Sequence, residues 1–256
     1  MKGKLSVVIV CKNEAHIIGR TLQSVQPISD DIVVYDSGST DATLAIARQY
    51  GARIYEAVWE GFGRTKQKAI TLAQYDWVLS IDADEVLDET LQYHLKTMVP
   101  DNPEVVYTVR FKNFFGDDYL RWGEFGGDWH IRLFNRTRVN WNDSPIHEQL
   151  VLPQSVIQKK LPGSILHYTM RDVAEFVQKS MHYALLNAEK HLQQGKKATW
   201  IQRYIAPLFT FVKFYFFKLG FLDGWKGWVA ARLSAFATFV KYNRLHELQS
   251  LTRKQS

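Results

Sequence analysis

The stretch DIVVYDSGSTDATLAIARQYG, residues 31–51, decides the fold. Ile32 to Tyr35 form an apolar, β-branched run too short for a helix. Such a run predicts a strand buried on both faces, as in a parallel sheet. The polar turn Asp36-Ser37-Gly38-Ser39-Thr40-Asp41 follows, then apolar residues at helical spacing, with Gly51 as the stop. The same strand, turn and helix stand on either side. Upstream, LSVVIV (5–10) leads into CKNEAHIIGRTLQSV, where Ile17, Ile18, Leu22 and Val25 share one helical face and Asn13 is a plausible N-cap. Downstream, ARIYEAV is a third short strand, GFGRTKQKAITLAQ a glycine-rich loop running into a helix, and WVLSID (77–82) a fourth strand. Strands alternating with helices predict an α/β fold: a Rossmann-like, mostly parallel central sheet with right-handed crossovers and helices on both faces.

After Pro100 the texture changes. VVYTVRFKNFF and HIRLFNRTRVNW read as strands around the glycine- and aromatic-rich loop GDDYLRWGEFGGD, and ILHYT (165–169) as another short strand. From about Arg171 helices take over. Asp172 and Glu175 make a capping-box pattern, and a final helix is expected over about Trp225 to Leu248. These boundaries suggest an α/β domain over 1–170 and a helical C-terminal region over 171–256.

The chain has 256 residues and a net charge of +6, with 14% aromatics and eight Trp. That length suits one sizeable α/β domain with a helical appendage. A lone cysteine, Cys11, excludes an internal disulfide framework and fits a reducing compartment. The N-terminal apolar run ends at Lys12-Asn13-Glu14 without a small-residue cleavage site, so it reads as a strand rather than a signal peptide. The basic excess gathers after Lys196, where Asp223 and Glu247 are the only acids and aromatics are dense. That mixture suits an anionic membrane surface, or equally a helical region with a solvated basic face. IAPLFTFVKFYFFKLGFLDGW (205–225) is too interrupted to span a bilayer but can lie in its interface.

Ligands of open α/β sheets bind beyond the carboxyl ends of the strands. Here those ends deliver Cys11-Lys12-Asn13-Glu14, then Asp36 to Asp41, then Glu60, Gly61, Arg64 and Lys68, then Asp82-Ala83-Asp84. No GxGxxG follows the first strand, no GxxxxGK[ST] occurs, and HExxH and CxxC are absent. Those absences argue against a dinucleotide site, a P-loop and zinc sites of those types. Asp82 and Asp84 sit at i and i+2 just past a buried strand. Two such carboxylates can share one hard cation, Mg²⁺ or Mn²⁺, whose remaining ligands are substrate phosphates. Arg64, Lys66 and Lys68 can then offset the phosphate charge. The competing reading is an acidic turn ahead of the helix capped by Asp88. Asp36 can accept from a base N–H or a ribose hydroxyl, with Asp41 as a helix cap. Glu14 can hold ribose or base, or be an ordinary helix N-terminal acid.

SVVIVCKNEA, IVVYDSGSTDAT and WVLSIDADE together resemble the N-terminal motifs of family 2 glycosyltransferases with the GT-A fold. The resemblance implies nucleotide-sugar binding by Val10, Asn13, Glu14, Asp36, Lys68 and Asp82, and a divalent metal on Asp84 and Asp82. WGEFGGDWHIRLFNR, VNWNDSPIHEQL and FYFFKLGFLDGWKGWVAA resemble a subgroup, the bacterial lipopolysaccharide-core β-1,4-glucosyltransferases. That likeness implies UDP-glucose as donor and a lipid-linked inner-core heptose as acceptor. On this reading the enzyme works at the cytoplasmic face of the inner membrane, as a peripheral protein whose basic aromatic tail docks on anionic lipid.

Family members invert the anomeric centre by a single displacement, with a carboxylate as base. The family's frequent E-D pair is missing here; the text reads HEQLVLP. Two acids are candidates: Glu148, where the acceptor loop is expected, and Asp128, after a flexible glycine pair. His147 is a third metal ligand, a substrate contact or a plain loop histidine. Trp122, Trp129 and Trp141 stack on sugars or pack. Arg132 pairs with a phosphate or with a neighbouring acid. Three other readings compete: a family member with another donor or acceptor, a nucleotidyltransferase, and a basic nucleic-acid module. The second lacks a glycine run after the first strand. The third leaves the paired aspartates unexplained, so no nucleic-acid partner is expected.

Overall fold

The computed structural model describes residues 4–142 and 149–255. The chain divides into two compact units, Met1–Phe111 with Asp128–His167, and Lys112–Gly127 with Tyr168–Ser256.

The first unit is an α/β layer structure. Its elements run β1 (Leu5–Cys11), α1 (Ile18–Val25), β2 (Asp31–Asp36), α2 (Thr43–Gln49), β3 (Arg53–Glu56), α3 (Phe62–Thr71), β4 (Trp77–Asp82), β5 (Glu85–Leu87) and α4 (Glu89–Thr97). Then come β6 (Val105–Phe115), β7 (Asp118–Tyr119), β8 (Trp129–Asn135), β9 (Asn140–Trp141), β10 (Leu150–Val151) and β11 (Ile157–Met170). β7 and the far ends of β6 and β11 belong to the second unit. The main sheet has the order β3-β2-β1-β4-β8-β6-β11-β5, and β9 pairs with β10 separately. β3, β2, β1 and β4 are parallel; β8 joins β4 antiparallel.

The continuous apolar runs explain the layers. Alternate residues of β1 serve opposite faces: Val7 and Ile9 pack with Ile18, Leu22 and Leu91, while Val8 packs with Ala69, Ile70 and Phe134. So α1 and α4 cover one face and α3 the other, as a strand buried on both sides requires. Each fully buried aliphatic side chain contributes about 1.5–3 kcal/mol. The core is built from the strand interiors and the inward helix faces, which leaves the strands' carboxyl ends to polar residues.

Two local expectations are corrected. Asn13 does not cap α1: Ile17 occupies the N-cap position with no side-chain bond, and Asn13 is left-handed at φ 57°. Its Oδ1 instead accepts from the Thr40 amide at 2.8 Å, tying the first strand-end loop to the second. ILHYT is the carboxyl-terminal part of a strand of 14 residues, whose polar start, Gln158 to Lys160, hid its length. Gly163 is required there: its φ is +94°, and a Cβ would lie 2.4 Å from the Leu91 amide nitrogen.

The second unit contains α5 (Val173–Gln193), α6 (Ala206–Val212) and α7 (Gly224–Gln255). Asp172 caps α5, accepting from the Glu175 amide at 2.8 Å, while Glu175 accepts from the Arg171 amide, also at 2.8 Å. Phe115, Leu120, Met170, Phe176 and Ala230 form its core. A cavity of about 290 Å³ lies between α5 and α7, lined by Phe176, Lys179, Tyr183, Thr238 and Lys241 among others. It holds none of the strand-end acids, so it is separate from the constellation described next.

Candidate active site

Pairing register brings the predicted acids to one edge of the first unit. Val10 pairs with Tyr35 on one side and Asp82 on the other, and Cys11 pairs with Asp36. The strand order reverses between β1 and β4, and in open α/β sheets that switch point is where the ligand crevice forms.

Asp82 lies at the end of β4 with its side chain 35% exposed. Lys66 Nζ reaches both its oxygens, at 3.0 and 3.1 Å, and the Arg132 guanidinium is 3.9 Å away. Desolvation alone would raise the Asp82 pKa, but Lys66 and Arg132 outweigh it and hold the carboxyl below its ordinary range. Lys66 is nearly buried and also lies 5.1 Å over the Trp141 ring. Trp141 is therefore a packing residue, edge-on to Phe134.

Glu85, also nearly buried, takes the Arg132 fork through Nε at 2.9 Å and Nη2 at 2.6 Å. Of the two partners expected for Arg132, the structure supplies the acid. Asp84 meets His167 Nε2 at 3.5 Å. Burial would lower the His167 pKa, but Asp84, Glu85 and Asp82 together raise it. Asp82, Asp84 and His167 are an oxygen- and nitrogen-donor set of the kind a divalent cation takes, with phosphate oxygens to complete the shell. Among the described residues, no three His, Cys, Asp or Glu side chains already converge as a metal cage.

Asp36 is 1% exposed and organises its own loop. It accepts from the amides of Gly38 (3.0 Å) and Ser39 (2.8 Å), from Ser39 Oγ (2.5 Å) and from the Cys11 thiol (3.5 Å). Burial, then Asp36, push that thiol far above its ordinary pKa, so Cys11 is inert. The Glu14 amide donates to Thr43 Oγ1 at 2.8 Å, and Asp41 accepts from Ala15 and Thr43, so the first two strand-end loops form one bonded shelf.

Lys68 lies apart from the acids: it is exposed and pairs with Glu60 at 2.5 Å. The lysine delivered to Asp82 is Lys66. It shares the buried stripe of α3 with Ala69 and Ile70. That i+3, i+4 spacing was available in the sequence. Asp128 is partly buried, and its carbonyl accepts from the Phe111 amide at 2.8 Å. Trp129 is 39% exposed, with Lys160 Nζ 4.5 Å over its ring. Trp122 is exposed in the second unit. Glu148 and His147 lie outside the described residues. His167 escaped the sequence reading because only the antiparallel register of β11 on β5 places it opposite Glu85.

Residues 6–151 match the family Glycosyl transferase family 2, and the chain belongs to it. It is a glycosyltransferase with a mixed α/β sheet and long C-terminal helices. An uncharacterized glycosyltransferase of Rickettsia typhi is 30% identical over 98% of this chain and 89% of its own length. The lipopolysaccharide core biosynthesis glycosyltransferase LpsC of Rhizobium meliloti is 27% identical over 98% of this chain and 94% of its own. Glucosyl-3-phosphoglycerate synthase of Mycobacterium tuberculosis, solved with Mn²⁺, UDP-glucose and phosphoglyceric acid, is 26% identical over 43% of each chain. Its TM-score is 0.33, so that likeness is partial.

Proposed function

We propose that this glycosyltransferase moves glucose from UDP-glucose onto an inner-core heptose of a lipid-linked lipopolysaccharide or lipooligosaccharide, with inversion. The observation that carries this reading is similarity to a lipopolysaccharide core glycosyltransferase over nearly the full length of both chains. The acid edge supports the chemistry. Asp84 and Asp82, with His167 beside Asp84, would hold a Mg²⁺ or Mn²⁺ ion, which supplies positive charge to a departing diphosphate.

The protein's own groups do the rest. The shelf formed by Val10, Asn13, Glu14 and Asp36 receives the nucleoside. Lys66 and Arg132 hold the charge balance at Asp82, and Lys66 can turn to a phosphate oxygen once the diphosphate arrives. A carboxylate, Glu148 or Asp128, takes the proton of the acceptor hydroxyl. The hydroxyl oxygen bonds to the anomeric carbon as the bond from that carbon to UDP breaks, and UDP leaves with the electron pair.

Thermal shift with UDP, UDP-glucose, UDP-galactose, UDP-N-acetylglucosamine and GDP-mannose, with and without Mn²⁺, tests the donor. A donor at a hundred times its Kd stabilises by ~2.7 kcal/mol. Mn²⁺-dependent shifts with UDP and UDP-glucose, followed by a β-linked product on heptose-terminated acceptor by proton NMR, are the expected results. A shift with GDP-mannose alone overturns the donor. A product on a non-heptose acceptor overturns the acceptor.

A further inference from the structure

We infer that the hairpin formed by the helical segment Ile201–Phe217, the turn after it and the start of α7 docks on an anionic lipid bilayer, lying in its interface rather than crossing it. All the residues concerned belong to the second unit. The inference stands apart from the donor and acceptor reading: a chain that binds vesicles but transfers another sugar leaves it intact.

The segment is built to expose apolar surface. Ile201, Tyr204, Ile205, Leu208 and Phe209 are 44–63% exposed. They recur at helical spacing, so they form one outward stripe. Around the following turn, Phe216, Phe217, Phe221, Leu222, Trp225 and Trp228 are 43–73% exposed. Single exposed apolar residues are ordinary in proteins, but a contiguous run is not.

The turn is rigid. Leu219 is left-handed at φ 58°. A Cβ on Gly220 would lie 2.6 Å from the Phe214 carbonyl oxygen, and one on Gly227 would overlap the Gly220 carbonyl. The chain then doubles back, with Arg203 Nε donating to Asn243 at 3.1 Å and Thr210 meeting Thr238 at 3.4 Å.

Charge identifies the occupant. Lys213 and Lys218 flank the apolar turn with their ammonium groups 5.4 and 5.7 Å from the Phe214 ring, and no described carboxylate pairs with either. The acid of the turn, Asp223, is tied up by the backbone amides of Arg121 and Trp122 at 3.1 and 2.9 Å. A surface of Trp, Phe and Leu with unopposed lysines and its acid engaged elsewhere complements anionic headgroups over acyl chains.

Spanning is disfavoured on the same grounds. Among the described residues, no single helix is long and apolar enough to cross a membrane. Ile201–Phe217 and Gly220–Thr252 qualify only as a pair, bent by 72°. Threading that pair through a bilayer would draw Lys213 and Lys218, beside the bend, into hydrocarbon.

The test is sedimentation of the full chain with phosphatidylcholine vesicles, with and without phosphatidylglycerol. The expected result is binding that needs phosphatidylglycerol and weakens with salt. Phe217→Glu and Leu222→Glu, both at exposed positions, should each weaken partitioning about tenfold or more with unchanged Tm. Lys213→Ser and Lys218→Ser should each cost about fivefold at low salt. Brominated lipids should quench tryptophan emission in the wild type, less so in Trp225→Tyr. Three outcomes overturn the inference: no binding, or equal binding to neutral vesicles; resistance to carbonate extraction, which means a span; and a soluble dimer broken by Phe217→Glu without vesicle binding, which means a second copy covers this surface.

Discussion

β2 begins and ends with an aspartate, Asp31 and Asp36, and each is 1% exposed. The two are held in opposite ways. Asp31 takes the Arg53 fork at 2.9 and 2.6 Å, the Gln74 amide at 2.8 Å and the Ser6 hydroxyl. It is a matched charge, with a cation of its own. Asp36 has only neutral partners among the described residues: two amides, a hydroxyl and a thiol. The same contrast runs along both edges of the sheet. At the amino edge Asp31 pairs with Arg53 and Asp76 with Arg136. At the carboxyl edge Asp82 shares its cations, with Arg132 committed mainly to Glu85, and Asp84 meets the titratable His167. A matched carboxylate contributes to stability. One with shared or neutral partners keeps acceptor capacity for a ligand.

The largest expected effect separates the edges directly. Asp84→Asn should lower turnover about a thousandfold, the scale of losing one electrostatic contact to developing charge. It should move Tm far less than turnover, because His167 beside it is titratable and can give up its charge. Steady-state kinetics across a Mn²⁺ titration, with a melting curve on the same sample, checks both halves. Asp82→Asn is a less clean probe, since it strands the nearly buried Lys66 and so mixes lost activity with lost stability.

Asp31→Asn should show the reverse pattern. It leaves the Arg53 guanidinium without its carboxylate, but Arg53 is 33% exposed and partly screened. Discounted for that exposure, the cost is about 2 kcal/mol. In a chain of this size that lowers Tm by about 4–8 °C. Turnover per folded molecule and the Mn²⁺ requirement should stay unchanged. If Asp31→Asn abolished turnover in folded protein while Asp84→Asn kept it, the contrast between the edges would be wrong.

A smaller effect tests how the shared cations work. Lys66→Met keeps an apolar stem beside Trp141 but removes the ammonium from Asp82. Desolvation is then opposed mainly by Arg132, so the Asp82 pKa should rise. In the wild type the lowered pKa makes Asp82 contribute stability above its ordinary titration range, and that contribution is lost as pH falls through the folded value. In the variant the acid-side loss should come at higher pH. Carbon-13 NMR of the aspartate carboxyls in metal-free protein reads the shift, and the donor Kd should weaken about tenfold, on the scale of a charge-assisted hydrogen bond.

The sheet was legible in the sequence because its information is local. β1, β2 and β4 carry near-continuous apolar runs, the turn after β2 carries glycine and aspartate, and both-face burial of these strands follows from the absence of alternation. The acids at the strand ends were legible for the same reason, since a residue just past a strand must sit at the edge. What depends on pairing between distant segments was not. His167 comes to Asp84 through an antiparallel strand about 80 residues downstream, a register that no local pattern encodes. Arg132 has the right chemistry for a phosphate or for an acid, and only the position of β8 beside β4 gives it Glu85. Asn13 looked like a helix cap by residue type, but a bond across to Thr40 claimed its side chain.

The smallest expected effect distinguishes the two lysines of α3. They lie two positions apart, which on a helix points them in different directions. Lys66 turns inward to Asp82, whereas Lys68 turns out to Glu60, exposed and screened. Lys68→Ala should therefore leave Tm unchanged and weaken the donor no more than about threefold, with the difference fading as salt rises. Calorimetry with UDP at low and high salt measures this. A tenfold loss that survives salt would mean that Lys68 leaves Glu60 for the diphosphate when donor binds. The contrast would then lie between a lysine that holds the empty site and one that closes on the filled one.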